Sequence, residues 1–238
     1  YEIALGWKET TRRGFNYYVN ANVSFARNKI LYMDEVKSQF AYQHQTGGPT
    51  GRYTGLYKFE RLYQNSEFTV DSKGNMVLDS SLPQPYVAVA PGDAMYADLN
   101  GDGIVDSDDT MVTGYSTRPE YVFGLNAGFN WKGLNFSMQW TGATHVNKMM
   151  EIEYRIPYTN AGGRGLLQYF YDDCWTPEHQ TGTLPRAAEK SEVWNSSAST
   201  LWLRNARYLR LKTLSVGYTF SNSKRLASVG IKKLGISL

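Results

Sequence analysis

Residues 15–28, FNYYVNANVSFARN, alternate strictly between two kinds of side chain and decide the fold class. Phe15, Val19 and Val23 fall on one face of an extended chain, and Asn20 and Asn22 fall on the other, because a strand has a period of two residues. One face suits lipid and the other suits a wet lumen. About ten such residues, at roughly 3.3 Å each and a tilt near 45°, cover roughly 23 Å of membrane thickness. The pattern therefore predicts a long, tilted transmembrane β-strand.

The same alternation recurs along the chain and predicts about six strands. Across Lys132 and Gly133 the apolar set passes from odd to even positions. A two-residue hairpin loop requires this change, because the residues that flank it pair directly and face the same side. In the fifth strand the phase changes near Thr213, which either a β-bulge or a start above the membrane plane would explain. The predicted strands cover residues 1–9, 15–28, 121–132, 134–142, 208–220 and 234–238.

The connections between these strands alternate between short and long. Residues 10–14, 132–133 and 221–233 form short links, whereas residues 29–120 and 142–207 form long segments rich in Gly, Pro, Tyr and Asn. This asymmetry is typical of an outer-membrane barrel with periplasmic turns and extracellular loops. Since even the smallest barrels have about eight strands, the chain is expected to be an interior fragment of a longer protein. The predicted fold class is all-β: a partial antiparallel transmembrane β-barrel with long extracellular loops.

The composition excludes several classes of protein. Hydrophobic residues make up 42% of the chain and charged residues 20%, and the formal net charge is only +3. Neither a disordered chain nor a nucleic-acid-binding protein is therefore expected. No run approaches the ~18 apolar residues of a transmembrane helix. The single cysteine, Cys174, can form no disulfide within the chain and is expected to be a packing residue.

Residues 98–109, DLNGDGIVDSDD, follow the calcium-loop spacing D-x-N-x-D-G. Calcium binds hard oxygen ligands, and so many neighbouring carboxylates would repel one another without a cation. Asp109 stands where ordinary EF-hands have Glu, as in the loops of dockerins. We predict a structural Ca²⁺ that stiffens a long external loop; the alternative is a metal-free loop of Asx-turns. The predicted ligands are the side chains of Asp98, Asn100, Asp102, Asp106 (directly or through water) and Asp109, and the carbonyl of Ile104.

No catalytic residue is identified in the sequence, and the chain is not expected to be an enzyme. His44, His145 and His179 are isolated and are interpreted as surface or loop residues rather than metal ligands. The acidic pairs at positions 151/153 and 172/173 are interpreted as solvated loop charges rather than the acid pair of a glycosidase.

Aromatic side chains in the long segments are candidates for stacking on sugar rings or on a partner. Packing of the loops on themselves explains these residues equally well. The candidates for substrate contact are Tyr154, Tyr158, Tyr169, Tyr171 and Trp175.

Five stretches of the chain carry a resemblance to a known family. They are GGPTGRYTGLYKFERLY from residue 47, YADLNGDGIVDSDD from residue 96, GYSTRPEYVFGLNAGFNWKGLNFSMQWTG from residue 114, CWTPEHQTGTLPRA from residue 174 and STLWLRNARYLRLKTLSVGYTF from residue 199. In this order they resemble the C-terminal barrel region of the SusC/RagA-type TonB-dependent outer-membrane transporters of Bacteroidetes. Because the resemblance covers nearly the whole chain, residues 1–238 are expected to belong to one TonB-dependent receptor β-barrel domain.

The resemblance implies an active importer of a glycan or a peptide in the outer membrane of a Gram-negative, Bacteroidetes-like cell. The complete protein would have roughly 22 strands, with a plug domain and a TonB box in an N-terminal part outside this sequence. The implied partners are the TonB complex, a SusD-like surface lipoprotein, outer-membrane lipid and an oligosaccharide or peptide substrate, and no nucleic acid.

Two other classes stay open at this point. A secreted, calcium-stabilised carbohydrate-binding β-domain, or a piece of a dockerin-bearing enzyme, would also carry a calcium loop. A dockerin, however, has two such loops with helices behind them, and only one is present here. A passive porin would show the same strands without a plug domain upstream.

Overall fold

The computed structural model describes residues 1–36, 38–158, 165–187, 192–221 and 224–238. These residues form two compact units. No helix in the described part of the chain is long and apolar enough to cross a bilayer. The sheet unit consists of Tyr1–Arg27, Thr117–Val146 and Ala206–Leu238, and the inserted unit consists of Asn28–Ser116 and Asn147–Asn205.

Strands dominate the described residues, and the helices are short. In chain order the strands are β1 (Glu2–Thr10), β2 (Asn16–Phe25), β3 (Tyr53–Tyr57), β4 (Phe59–Leu62), β5 (Phe68–Val70), β6 (Met76–Leu78), β7 (Gln84–Pro85), β8 (Ala94–Tyr96), β9 (Ile104–Val105), β10 (Thr110–Thr113), β11 (Tyr121–Trp131), β12 (Leu134–Thr144), β13 (Asn147–Met149), β14 (Leu203–Asn205), β15 (Tyr208–Ser221) and β16 (Lys233–Ser237). The α-helices are α1 (Ile152–Arg155), α2 (Gln168–Asp173), α3 (Glu192–Asn195) and α4 (Lys224–Ala227), and 3₁₀ turns cover Ala41–Gln43, Asn65–Glu67 and Ser107–Asp109.

The sheet unit contains a six-stranded antiparallel sheet with the order β1-β2-β11-β12-β15-β16. The predicted all-β fold class with about six strands is therefore confirmed. Strands β11 and β12 have 11 residues each and β15 has 14, about twice the usual length in soluble proteins. The strand ends differ from the prediction by a few residues; β2, for example, ends at Phe25 rather than at Asn28.

The hairpin of β11 and β12 has the two-residue loop that the sequence predicts. Trp131 pairs directly with Leu134. Between them Lys132 and Gly133 have φ angles of 48° and 90°, and two positive φ angles are what a type I′ turn requires. A β-carbon on Gly133 would lie 2.6 Å from the carbonyl oxygen of Thr219, so glycine is also required for space.

The two faces of the sheet are sorted by polarity along rows that cross the strands. On the apolar face Leu5 is 71% exposed and Leu209 is 64% exposed. Large apolar side chains exposed in continuous rows indicate a face that contacts hydrocarbon. One apolar row consists of Leu5, Ala21, Leu125, Trp140 and Leu211, and the next row, on the polar face, consists of Gly6, Asn20, Asn126, Gln139 and Thr213.

A β-bulge in β15 explains the change of phase in the fifth strand. Gln139 pairs with Thr213, but Trp140 pairs with Leu211, so Lys212 is left between two paired residues. One extra residue shifts the alternation by one position and keeps the apolar side chains on either side of the bulge on the same face. Of the two explanations that the sequence leaves open, the structure shows the bulge.

The inserted unit has an aromatic core of its own, in segments that the sequence predicts as long loops. Its short strands pair as β3 with β10, β4 with β8, β5 with β6, β7 with β9 and β13 with β14. The rings of Tyr57 and Tyr96 lie 4.9 Å apart, as do those of Tyr96 and Trp194. Trp202 is fully buried, and its indole nitrogen donates to the Asn195 carbonyl at 2.8 Å. Burial of these rings fixes the course of segments that have little regular structure.

Candidate functional site

The aspartate loop, residues 98–109, folds around its own backbone amides in the inserted unit. Asp98 accepts hydrogen bonds from the amides of Gly101 and Gly103 at 2.6 and 2.8 Å. Asp102 accepts one from the amide of Ile104, the first residue of β9, at 2.8 Å. Such Asx-turns bind a short polar side chain to the backbone that follows it. The two glycines have φ angles of 78° and 85°, which lets the chain turn sharply enough to make these contacts.

Asp109 closes the loop from a buried position. Its side chain is 0% exposed, and its Oδ1 atom accepts hydrogen bonds from the amides of Leu99 and Asn100 at 2.6 and 3.3 Å. Its Oδ2 atom accepts one from the Asp106 amide at 2.9 Å. Asp106 in turn caps the 3₁₀ turn by accepting from the Asp108 amide at 2.8 Å. The predicted last calcium ligand therefore also joins the two ends of the loop.

The side-chain oxygen atoms of the aspartate loop are suitable ligands for calcium. In this structure they accept hydrogen bonds from backbone amides, which orient them. Asp98, Asn100 and Asp102 supply hard oxygen atoms at alternate positions, and all three are partly or fully exposed. The Asn100 amide group bridges to Asp102, with its Nδ2 atom 3.0 Å from Oδ2. Within the described residues, no group of three or more His, Cys, Asp or Glu side chains is placed to hold a metal ion. Calcium binding by this loop stays a prediction.

The 3₁₀ turn at Ala41–Gln43 is bonded to the aspartate loop within the same unit. The Tyr42 hydroxyl donates to the Asp108 carbonyl at 2.8 Å. The Gln43 side chain donates to the carbonyls of Ser107 and Asp108 at 3.2 and 3.0 Å. Burial, followed by the nearby charges of Asp109 and Asp108, raises the pKa of Tyr42, because both effects disfavour a phenolate. Tyr42 is therefore a neutral donor that supports the loop.

Four of the five aromatic candidates for substrate contact lie on the surface of the inserted unit. Tyr154 lies in α1, and Tyr169 and Tyr171 lie in α2 on either side of the buried Phe170. The Tyr169 hydroxyl donates to the Tyr154 carbonyl, so the structure brings these two segments together. Tyr171 is the most exposed of the four at 68%, and Tyr158 is also exposed, with a φ angle of 58°. Contact of these rings with a substrate stays a prediction.

Trp175, the fifth candidate, lies in the interior. It is 4% exposed, and its ring lies so close to Gly92 that a β-carbon there would be 2.3 Å from it. Its indole nitrogen lies 3.5 Å from Gln64 Oε1. An indole buried in this way presents no face to a substrate. The expectation of a surface position rested on the place of Trp175 in a long, aromatic-rich segment, and the structure corrects it: for this residue the packing of the loops on themselves is what is found.

A buried ion pair in the inserted unit escaped the sequence-based prediction. Asp93 is 0% exposed and accepts hydrogen bonds from Nε and Nη2 of Arg186 at 2.7 and 3.1 Å. Asn195 and the amide of Ala90 donate to the same carboxylate at 2.9 and 2.8 Å. Such a bidentate pair fixes the relative position of two distant segments. The sequence contains Arg186 within the family-like CWTPEHQTGTLPRA stretch, but no spacing rule identifies its partner.

Glu120 binds two nitrogen donors where β11 begins in the sheet unit. Arg27 Nε donates to Glu120 Oε1 at 2.7 Å, and His145 Nδ1 lies 2.9 Å from Oε2. The pKa of Glu120 lies below its usual value. The hydrogen bond from Arg27 lowers it most, and the hydrogen bond with His145 lowers it further. His145, which the sequence analysis treats as isolated, therefore belongs to a charged cluster. Its partner is 25 residues away in the sequence, which is why no local motif revealed it.

The Cys174 side chain is 6% exposed and packs with Phe170 and Trp202. Burial raises the pKa of this thiol. A buried thiol with a raised pKa is a packing residue and a poor nucleophile, in agreement with the sequence-based interpretation.

Two proteins of known family are similar to this chain in sequence. No family model matches the chain. TonB-dependent receptor P26 of Formosa agariphila is 29% identical over 250 residues, and the match covers 100% of this chain and 23% of that protein. TonB-dependent receptor P3 of the same organism is 25% identical over 236 residues, covering 94% of this chain and 22% of that protein. The chain thus spans less than a quarter of the length of these relatives.

Solved structures share the fold. A structure of the RagAB peptide transporter is similar with a TM-score of 0.67 at 14% identity, covering 99% of this chain and 24% of that chain. The RagAB peptide importer in the open-open state is similar with a TM-score of 0.61 at 15% identity, with the same coverage. At these identities the likeness shows the fold alone.

Proposed function

We propose that the protein containing this chain is an active nutrient importer of the outer membrane. The premise is that the chain is a fragment of a SusC/RagA-like TonB-dependent receptor, which both the sequence and the fold support. The observation that carries the proposal is that the whole of this chain matches part of a TonB-dependent receptor. The exposed apolar face of its sheet adds physical support, since that face suits a bilayer. The chain forms part of the barrel wall in a Gram-negative outer membrane.

The orientation follows from the lengths of the connections. The short links after β1 and β11 face the periplasm, and the long segments that form the inserted unit face the outside of the cell. The inserted unit then belongs to the part of the importer that meets nutrients first. We place the candidate substrate contacts there, on the exposed rings of Tyr154, Tyr169 and Tyr171.

The cargo is a peptide or an oligosaccharide. The RagAB neighbours are described as a peptide transporter and a peptide importer, which supports a peptide. Exposed tyrosines suit either cargo, because an aromatic ring stacks on sugars and packs on apolar side chains equally well. A SusD-like surface lipoprotein would deliver the cargo, and the TonB complex would supply energy through the N-terminal part of the protein.

A secreted carbohydrate-binding domain is not favoured. In water, a sheet that exposes Leu5, Trp7 and Leu209 on one face would need a second layer to cover them. A passive porin has the same lipid-facing wall and differs from an importer in its energy source. The relatives are named as receptors, and we assign no catalytic step to the chain.

The test is uptake of labelled peptides and oligosaccharides by cells that carry the full-length protein and its neighbouring lipoprotein. Uptake should stop when the proton-motive force is collapsed or when TonB is absent. The variant Tyr171→Ala should import its cargo several-fold more slowly than Tyr32→Ala, a control at an 83% exposed tyrosine elsewhere in the inserted unit. Uptake that continues at the full rate without a proton-motive force would favour the porin instead.

We further propose that the aspartate loop binds a structural Ca²⁺ through Asp98, Asn100, Asp102, Ile104, Asp106 and Asp109. The D-x-N-x-D-G spacing and the hard oxygen donors support this assignment. Calorimetric titration of the full-length protein should show binding with a Kd of roughly 10⁻⁴ to 10⁻³ M, the range of extracellular modules. The variant Asp98→Ala/Asp102→Ala should lose it.

The matched control for calcium is Asp71→Ala/Asp79→Ala. Asp71 is partly exposed and Asp79 is exposed; both accept backbone hydrogen bonds, from the amides of Lys73 and Ser81, and both lie outside the aspartate loop. Binding that both double variants reduce equally, or no binding at millimolar Ca²⁺, would support the metal-free loop.

A further inference from the structure

The short connections of the sheet carry basic residues and no acidic ones. Residues 11–14, 132–133 and 221–233 contain seven of the 25 Lys and Arg residues of the chain and none of its 22 Asp and Glu residues. The structure describes the first two of these links completely. Because the sheet is antiparallel, both links lie at the same end of the strands. We call this end of the sheet the turn edge.

Cations at the two ends of the strands differ in whether a carboxylate pairs with them. At the edge opposite the turn edge, Arg27 forms an ion pair with Glu120. At the turn edge, Arg12 and Arg13 are exposed, and no carboxylate in the described part of the chain pairs with either. Their positive charge is therefore available to a partner outside the chain.

The two arginines border an apolar hollow. The hollow has a volume of about 490 Å³ and is lined by Thr11, Arg12, Arg13, Phe15 and Trp131. The turn that carries the arginines is held by two backbone hydrogen bonds of 2.9 Å, from Thr11 to the Phe15 carbonyl and from Gly14 to the Thr11 carbonyl. Both guanidinium groups are thus attached to an ordered turn beside an apolar surface.

Aromatic rings continue from the hollow along the apolar face. The ring of Phe15 lies 5.4 Å from that of Phe129, which lies 5.3 Å from that of Phe136. The Lys132 ammonium lies 4.9 Å from the centre of the Trp131 ring. Rows of aromatic side chains with cations beyond them mark the level of lipid headgroups. The turn edge therefore presents positive charge at the depth where phosphates of a bilayer lie.

We propose that the turn edge binds an anionic phospholipid, with Arg12 and Arg13 holding its headgroup phosphate and the hollow holding the apolar part next to it. This inference rests on the proposed function, since it requires the sheet to lie in a membrane. Arginine suits phosphate because its planar fork donates two parallel hydrogen bonds. Lys132 adds a third positive charge at the same edge, which favours a lipid with a net negative charge over a zwitterionic one.

The apolar lining distinguishes a lipid from a free anion. A free phosphate would gain nothing from contact with Phe15 and Trp131, whereas a lipid buries apolar surface against both rings. Each basic residue next to an anionic bilayer strengthens binding roughly fivefold. Removal of both arginines should therefore weaken retention of the lipid by roughly 25-fold.

The experiment uses the full-length protein in nanodiscs of phosphatidylcholine doped with phosphatidylglycerol. Lipids that stay bound after release into detergent are counted by native mass spectrometry. The wild type should retain phosphatidylglycerol in preference to phosphatidylcholine, and Arg12→Gln/Arg13→Gln should lose this preference. Arg12→Lys/Arg13→Lys should retain an intermediate amount, because lysine keeps the charge and loses the fork.

The matched control is Lys8→Gln/Lys73→Gln, which also removes two positive charges. Lys8 lies on β1 close to the turn but on the opposite, polar face of the sheet, and Lys73 lies in the inserted unit. The control should retain phosphatidylglycerol like the wild type. Equal retention by the arginine-to-glutamine variant and the control would overturn the proposal. So would equal retention of both lipids, or displacement of the lipid by inorganic phosphate alone.

Lipid retention by the purified protein and cargo uptake by cells together separate this inference from the proposed function. If the protein retains phosphatidylglycerol through Arg12 and Arg13 but cells import no cargo through it, the lipid site stands and the importer proposal fails. If import is normal and the arginine-to-glutamine variant still retains the lipid, the lipid site alone fails.

Discussion

The sheet unit and the inserted unit use apolar side chains in opposite ways. In the sheet unit Leu5 and Trp7 are 71% and 62% exposed, whereas in the inserted unit Trp194 and Trp202 are 4% and 0% exposed. The sheet is stabilised by hydrogen bonds between neighbouring long strands and leaves its apolar rows free for hydrocarbon. The inserted unit has short strands and buries its rings against one another. The sheet unit is thus suited to hydrocarbon on its apolar face, whereas the inserted unit is suited to water on its outside.

The ion pairs of the chain differ in how far they are removed from water. In the inserted unit Asp93 is removed completely from water and receives four hydrogen bonds, from Arg186, Asn195 and the Ala90 amide. In the sheet unit, Arg27 is 46% exposed although it pairs with Glu120. The difference matters because a buried charge that loses its partner is costly, while an exposed one is solvated. The following predictions test this comparison.

The largest effect is expected at the buried ion pair. Arg186→Met leaves the Asp93 carboxylate buried without its cation, which should destabilise the surrounding structure by about 3–5 kcal/mol. Hydrogen exchange of peptides covering β8 and the segment after α3 should accelerate accordingly. Arg61→Met is the control, since it breaks the pair with Glu67 that leaves Arg61 44% exposed, and should cost at most about 1 kcal/mol. Equal acceleration in both variants would show that Asp93 does not depend on Arg186.

The next effect distinguishes the two faces of the sheet. Leu125 and Asn126 are neighbours in the middle of β11 and lie on opposite faces. Leu125→Arg should destabilise the protein in a bilayer by about 2–4 kcal/mol, because it places a charge in hydrocarbon. Asn126→Arg should cost much less, since its side chain faces the polar side. Denaturant-induced unfolding from lipid vesicles measures both, and a larger cost at Asn126 would reverse the assignment of the faces.

The smallest effect is expected at Glu120. Its pKa lies below the usual value in the folded protein, chiefly because of Arg27. The carboxylate therefore contributes stability above its unfolded pKa, and this contribution is lost as the pH falls through the lowered, folded pKa. The loss should be at most about 1 kcal/mol, since solvent screens the exposed Arg27. Unfolding of wild type and Glu120→Gln between neutral and acidic pH measures it, and an identical acid dependence of the two would contradict the prediction.

Local patterns predicted the sheet unit well. The odd-to-even change across Lys132 and Gly133 predicts the hairpin from the sequence alone, because a two-residue loop leaves only one register. The phase change near Thr213 identified an irregularity, although only the pairing of Trp140 with Leu211 showed that it is a bulge. Strand ends were less certain, since alternation fades gradually where a strand leaves the sheet.

The inserted unit was harder to predict because its contacts join distant residues. β7 pairs with β9 over two residues each, which is too short to leave a periodic pattern. For the candidate site, the sequence located the aspartate loop, whose Gly101 and Gly103 have the positive φ angles of sharp turns, but it did not predict the contact between Tyr169 and Tyr154. Trp175 was misplaced because burial depends on what packs around a residue, here Gly92, and not on its neighbours in the chain.

The sequence by itself determined the long antiparallel strands, their polar and apolar faces and the family to which the chain is related. These follow from a two-residue period and from contiguous motifs, both of which are local properties of a chain. Only the tertiary structure decided that Asp93 meets Arg186, that His145 meets Glu120, and that the cations of the turn edge lie beside an apolar hollow. Those contacts depend on how distant segments pack, and a one-dimensional pattern holds no record of that packing.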